Sequence, residues 1–372
     1  MERALAELIR RAHRTVDFTI VAATLDESLR PLVRWVRVPV PQRPFPLKFV
    51  CFYVLAGLRL TRLRGDLRHS MGAIVPQPMD LVAVQFCHAG FLELERSQPR
   101  PPQRLALRLN AAFHRALSLA AERWSYRRDR SLVFLAASEG IARELREHYA
   151  AASVRIVPNG VDGERFRPGG GDRKALRAEL GVSGDRLVAL FVGGDWQRKG
   201  LALAIEALAE ATGRYELWVV GGGDRERFQR LAQQRGVEDR VRFLGSRRDV
   251  ERVYRAADVF VFTTLYEAFP LVALEAAASG LAIVATPVNG IEELLAGGEA
   301  GVVVRREPAE LARALRELGA DGDRRAALGL AARRRAASYT WDAHARDVLR
   351  AYRLAIGHDY PVGDERPGEM RS

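Results

Sequence analysis

The sequence predicts an α/β protein of two doubly wound parallel-sheet domains, and three observations predict it. Its 372 residues exceed what one ordinary core holds. Short apolar, β-branched runs without alternation recur along the chain, as strands buried on both faces do, with helical segments between them. In the second half, run after run closes on a glycine-rich turn, as at Gly193, Gly221, Gly245 and Gly290.

In chain order, residues 1–15 carry an amphipathic helix pattern. Strands are expected over 16–23 and 32–38, the second closed by the proline-rich turn 39–46. A helix over 47–64 precedes strands over 66–69 and 81–86. A basic amphipathic helix over 104–123, a strand over 132–137, a helix over 139–148 and a strand over 154–157 complete domain one, 1–165. The turn at Pro158-Asn-Gly and the break at Pro168-Gly-Gly-Gly lead to domain two, 170–340. Its strands are expected over 187–192, 217–220, 241–244, 259–262, 282–285 and 301–304. Helices over 323–338 and 341–356 follow, and 357–372 reads as a polar tail.

Apolar content of 48% and charged content of 28% describe a globular chain. Two cysteines, Cys51 and Cys87, without CxxC spacing argue against a disulfide framework and a structural zinc site, and favour a cytoplasmic setting. The N-terminal segment lacks a signal-peptide core, and the apolar run 49–58 is too short to span a bilayer. The net charge of +12 points to an acidic partner. The basic segments 46–64 and 104–123 suit an anionic membrane surface, or equally a solvated arginine face. No nucleic-acid motif accompanies the charge. Only three lysines occur among 58 basic residues, and one, Lys199, lies in a glycine-rich turn.

The densest chemistry lies at 257–280. A fully apolar strand runs into Tyr266-Glu-Ala-Phe-Pro, and an apolar helix follows. Pro270 suits its first turn. Glu267 on the turn and Glu275 inside the helix need partners, either a neighbouring arginine or the paired hydroxyls of a ribose or hexose. Gly193 and Gly194 let backbone approach an oxygen-rich ligand, and Arg198 and Lys199 stand beside the next helix start. That combination suits a phosphate or pyrophosphate, and it also describes a tight turn with solvated cations. Ligands bind at the carboxyl ends of parallel strands, so these turns belong to one rim. No dinucleotide fingerprint G-x-G-x-x-G is present. Asp321-Gly-Asp323 reads as a helix cap rather than a metal site.

The series "VPNGVD", "FVGGDWQRKG", "LWVVGGGD", "VRFLG", "YEAFPLVALEAAASG" and "VATPVNGIEELL" resembles family 4 of the retaining glycosyltransferases, of two-domain GT-B fold and close in pattern to lipopolysaccharide-core and cell-envelope members. The resemblance is strongest over about 130–345, and its most specific part is Glu-x7-Glu, matched by Glu267 and Glu275. It implies that Glu275 holds the ribose and Glu267 lies by the donor sugar. Backbone N–H groups near Phe269 to Leu271, on either side of Pro270, would face the diphosphate, beside Gly194, Arg198 and Lys199. Family members often place a histidine near the donor sugar where this chain has His88, although a structural loop histidine is the alternative; His69 is a weaker candidate. Family members carry an arginine where this chain has Gly194.

The resemblance implies a metal-independent hexosyltransferase. The donor would be a nucleoside-diphosphate sugar, with UDP or GDP favoured, and no further cofactor is expected. A glycan or lipid-linked acceptor, a cytoplasmic or peripheral membrane position and a last helix crossing back to domain one are implied as well. Family members begin with a strand and a glycine loop that have no counterpart before Met1, so a longer natural chain is expected. The rivals are a sugar-nucleotide epimerase of the same fold and a non-catalytic partner subunit.

Overall fold

The structure is a computed structural model that describes residues 2–41, 43–96, 105–127, 130–169, 172–182, 186–211 and 215–357. The expected tail and part of the Gly-rich break lie outside these residues. The chain forms two compact units. One holds residues 1–137, 141–157 and 345 onward, and the other holds 138–140 and 158–344.

The first unit contains α1 (Glu2–Ala12), β1 (Thr19–Ala22), β2 (Arg34–Arg37), α2 (Phe45–Leu60), β3 (His69–Ser70) and β4 (Met79–Val84). They are followed by α3 (His88–Arg96), α4 (Leu105–Ser125), β5 (Ser131–Ala136), α5 (Glu139–Tyr149) and β6 (Val154–Ile156). All pairings are parallel. The strands form two sheets, β1-β2 and β3-β4-β5-β6, rather than the single sheet that alternation alone suggests, because no strand among the described residues pairs with both. The expected strand over 32–38 shortens, since Glu27–Leu32 coils into a 3-10 turn that Asp26 caps at Ser28 N–H. α2 starts at Phe45, earlier than the pattern indicates, with Pro46 in its first turn where no N–H is needed. One apolar cluster joins Leu8 and Ala12 of α1 to Leu81 and Ala83 of β4 and to Val133 and Leu135 of β5.

The second unit runs α6 (Asp172–Glu179), β7 (Leu187–Val192), α7 (Leu201–Glu210), β8 (Tyr215–Val220), α8 (Arg225–Gln234), β9 (Val241–Gly245), α9 (Val250–Ala256) and β10 (Val259–Phe262). It continues with α10 (Leu271–Ala278), β11 (Ala282–Ala285), α11 (Ile291–Leu295), β12 (Val302–Val303), α12 (Pro308–Ala320), α13 (Gly322–Ala336) and the start of α14 (Trp341–Gly357). From Ala345 onward α14 belongs to the first unit, where Val348, Ala351 and Tyr352 join the cluster of α1 and β4. The sheet order is β12-β11-β10-β7-β8-β9, parallel throughout. β10 is buried along its whole length, as its unalternating sequence requires.

The chain winds from β7 towards β9 in one direction and from β10 towards β12 in the other. The sheet's switch point therefore lies between β7 and β10, and the loops leaving their carboxyl ends meet there. Thr263 ties them together: its hydroxyl donates to Lys199 O (3.1 Å) and Gly200 O (2.9 Å). Gly200 sits at φ +77°, and a Cβ there would stand 2.1 Å from Thr263 O. Gly200→Ala therefore combines left-handed strain with a backbone clash. Urea unfolding should show a loss of about 2 kcal/mol or more; an unchanged midpoint would contradict the tight approach.

Candidate functional site

The site is built on the second unit at that switch point. The loop after β7 carries Gly193, Gly194, Arg198 and Lys199, and the loop after β10 carries Tyr266, Glu267 and Phe269. The structure joins them directly. Arg198 donates to Tyr266 O (2.8 Å) and to Glu267 Oε1 (3.1 Å), and its Nε reaches Asp195 Oδ2 at 3.1 Å. Lys199 Nζ pairs with the same Glu267 oxygen and lies 5.6 Å from the centre of the Phe262 ring. Of the two partners the sequence leaves open for Glu267, the basic side chains are the ones in contact. All three groups are largely buried, with Arg198 the most open.

Two helix N-termini point into the same edge. α7 begins after Gly200 and α10 after Pro270, and neither has a side-chain cap. Pro270 is the extended residue before the helix rather than part of its first turn, and Leu271 is the first helical residue. Uncapped first-turn N–H groups with the helix dipole behind them favour an anion. Gly194 has room around it, since a Cβ there would meet only Gly222 O, at 3.8 Å.

Glu275 lies inside α10 with only 6% of its surface exposed. Among its partners is Tyr254, whose hydroxyl donates to Glu275 Oε2 (3.0 Å) and Val272 O (3.1 Å). Tyr254 was not legible as a site residue, because its only sequence signal is a tyrosine in an amphipathic helix. Asn159 and Trp196 were missed as well. The buried Asn159 amide donates to Phe269 O (3.0 Å), holding the turn before α10, and the Phe269 ring packs on Tyr339 at 5.1 Å. Gly290 closes this corner, since a Cβ on it would lie 2.8 Å from Phe269 Cα. The Trp196 indole donates to Gly193 O (2.9 Å) and packs on Phe228 and Phe243, fixing the cation loop from below. Asp321 accepts from Arg324 N–H (2.8 Å) as the cap of α13, the role its motif suggests. No group of three or more metal-binding side chains is found among the described residues.

His88 belongs to the first unit and opens α3. Burial, and then the charge of His114, push its imidazole down to about 4. Its backbone N–H donates to Glu122 of α4 (2.9 Å), which also accepts from the Tyr149 hydroxyl (2.5 Å). Sequence alone did not single out Glu122. Burial pushes its carboxyl up to about 7, assisted by Glu144 and opposed by the hydrogen bonds from His88, Tyr149 and Ala89. Cys87, Tyr126 and Tyr149 also face it, and its charge helps raise all three. A carboxyl raised from 4.5 binds more protons folded than unfolded. Its stabilisation is full below about 4.5 and is lost as pH rises through about 7. The difference in unfolding free energy between wild type and Glu122→Gln should shrink over that window. The opposite effect of His88 is common to both proteins and drops out; a pH-independent difference would refute the raised carboxyl. His69, the weaker candidate, places Nδ1 2.8 Å from the Tyr352 hydroxyl, a contact within the first unit.

The family model described as Glycosyltransferase Family 4 matches residues 1–165, and that described as Glycosyl transferases group 1 matches 172–335. The D-inositol 3-phosphate glycosyltransferase of Corynebacterium jeikeium is 38% identical over 228 residues, covering 56% of this chain and 54% of that protein. The alignments thus span about half the length of the curated relatives. Among solved structures, WaaG, a glycosyltransferase involved in lipopolysaccharide biosynthesis, superposes with a TM-score of 0.79 at 22% identity, over 93% of this chain and 94% of its own. Alr3699/HepE of Anabaena in complex with UDP-glucose gives 0.66 at 18% identity, with 95% of each chain covered. These likenesses show the GT-B fold. With the two family models tiling both units, the chain belongs to family 4 of the glycosyltransferases.

Proposed function

We propose that the chain is a retaining hexosyltransferase that moves a sugar from a nucleoside-diphosphate sugar to a hydroxyl of a glycan or lipid-linked acceptor. The observation that carries this reading is the convergence of Arg198, Lys199 and Glu267 at the switch point, with Glu275 one helical segment further on. Departure of the diphosphate builds negative charge on its oxygens. The guanidinium, the ammonium and the N-termini of α7 and α10 oppose that charge without a resident cofactor. Donor phosphates then compete with Glu267 for the same two cations. Glu275 accepts from the ribose hydroxyls, the backbone of Phe269 to Leu271 faces the diphosphate beside Gly194, and Glu267 addresses the sugar; His88 is the first unit's own candidate for a sugar contact. The incoming hydroxyl attacks from the face the diphosphate leaves.

The UDP-glucose held by Alr3699/HepE supports UDP as the nucleotide of the donor, with GDP the next choice. The name of the curated relatives, a transferase acting on an inositol phosphate, supports a hydroxyl acceptor. The +12 charge supports a place peripheral to an anionic membrane and the sparse cysteines a cytoplasmic one, and no described helix is long and apolar enough to cross a membrane. Nucleic acid is not a partner in this reading.

The test is a thermal-shift screen with UDP-, GDP- and ADP-glucose. Acceptor-dependent release of the nucleoside diphosphate is then measured with glycan and lipid-linked acceptors. Stabilisation by one donor and release only with acceptor support the reading. Sugar leaving without any acceptor would make the chain an epimerase-type enzyme, and binding without turnover would make it a non-catalytic partner.

A further inference from the structure

The helix α2 is apolar on a buried face and on an adjoining exposed one. Pro46, Phe49, Tyr53 and Ala56 turn inward, and Gly57 packs so tightly on Pro76 that a Cβ would stand 2.9 Å from its ring. Leu47, Val50, Val54 and Leu58 recur on an adjoining side at helical spacing, and each is between 38% and 59% exposed. A stripe of this kind on a charged protein marks a contact surface.

Charge identifies what it contacts. Residues 28–65 contain eight basic residues and no acidic one. Arg43 precedes α2, Lys48 and Arg59 lie on its flank, and Arg62 and Arg64 follow it; all but the half-buried Lys48 are exposed. At the far end stands Trp124 of α4, 43% exposed, with the Arg130 guanidinium 4.2 Å from its ring centre. Its indole N–H donates to Pro76 O (3.0 Å), beside the Gly57 contact. Cations and an amphipathic aromatic around a leucine–valine stripe complement acidic headgroups over acyl chains. At 16 residues α2 falls short of the roughly 20 that cross a bilayer.

The stripe is connected to the first unit's candidate residue. The Phe45 ring at the start of α2 lies edge-on to His114 at 4.4 Å, and His114 lies 6.0 Å from His88. We propose that α2 docks in the plane of an anionic lipid bilayer, and that the acceptor is an amphiphile presented to His88 at that surface. The acceptor half of this proposal rests on the transferase reading above; the docking half does not.

Co-sedimentation with phosphatidylcholine vesicles, with and without phosphatidylglycerol, tests the docking. The wild-type chain should pellet with the anionic vesicles. The triple change Leu47→Ser, Val54→Ser, Leu58→Ser should weaken that partition by at least about tenfold at an unchanged melting temperature, because all three side chains are exposed. The triple change Arg59→Gln, Arg62→Gln, Arg64→Gln should do likewise, and added salt should reproduce it. Serine-variant binding equal to wild type overturns the proposal. So does a wild-type chain that stays in the supernatant, including one that forms a dimer the serine variant dissolves. Transfer to a short-chain soluble acceptor should be unchanged in the serine variant, while transfer to a vesicle-held acceptor falls; equal rates on both overturn the acceptor half. If no transfer occurs at all while the vesicle results stand, the transferase reading fails and the docking survives.

Discussion

Lys199→Ala lowers kcat/KM for the nucleotide sugar by more than about tenfold, and the protein still folds. The ammonium is one of two cations held at the switch point, and a charge-assisted contact to a phosphate oxygen contributes about 1.5–3 kcal/mol. Because that oxygen gains charge as the bond to the sugar breaks, the loss falls on kcat as well as on KM. Folding survives because Glu267 keeps Arg198 as a partner at 3.1 Å, so no carboxylate is stranded. Steady-state kinetics with a melting curve check both halves. Lys199→Arg is the informative second variant, since it restores the charge with a different donor geometry and should recover part of the rate. Unchanged turnover in folded Lys199→Ala would remove this residue from the site.

Glu275→Gln raises the donor KM by about tenfold or more and changes stability little. Glutamine keeps the volume of a side chain buried in α10 and still accepts from the Tyr254 hydroxyl, so the local packing is retained. What disappears is the charge that accepts from ribose hydroxyls, where hydrogen bonds to an ionised group count for about 1.5–3 kcal/mol. A 2′-deoxyribose donor provides the control. It should bind wild type more weakly than the ribose donor, and the gap should narrow in the variant. If Glu275→Gln weakens both donors equally, the carboxylate serves the helix rather than the ligand. Tyr254→Phe separates the two roles further, since it removes an internal partner of Glu275 and no ligand contact.

Much of the second unit was legible because its strands are buried on both faces. Such strands must be apolar throughout, so β7, β8, β10 and β11 stand out against amphipathic helices, and the turns between them carry glycine where backbones approach closely. The loops with chemistry, at 193–200 and 263–270, were visible for the same reason. The first unit was less legible. Although β4 and β5 are mostly buried, β1, β2, β3 and β6 are only two to four residues long and mostly part-exposed, and nothing local in β1 or β3 announces that they fall in separate sheets. Asn159, Tyr254 and Glu122 were missed because their hydrogen-bond partners lie on distant elements, and Trp196 because the rings it packs on, Phe228 and Phe243, belong to later elements. An asparagine in a turn or a glutamate in a helix looks the same in sequence whether it faces water or a backbone group 110 residues away, as Asn159 faces Phe269.

The sequence by itself determined the strands and helices of the second unit, the eight-residue spacing of Glu267 and Glu275, and the presence of a cation pair at a glycine turn. Tertiary structure alone decided which of these meet. Arg198 and Lys199 precede Glu267 by about 68 residues, with three strands and three α-helices intervening, and they touch it because β10 lies beside β7 rather than beside β9. The physical reason is that apolar patterning marks which residues must leave water but not which neighbour they meet. Strand order follows from the packing of all the helices and strands together, and it places one carboxylate between two cations at the sheet's switch point.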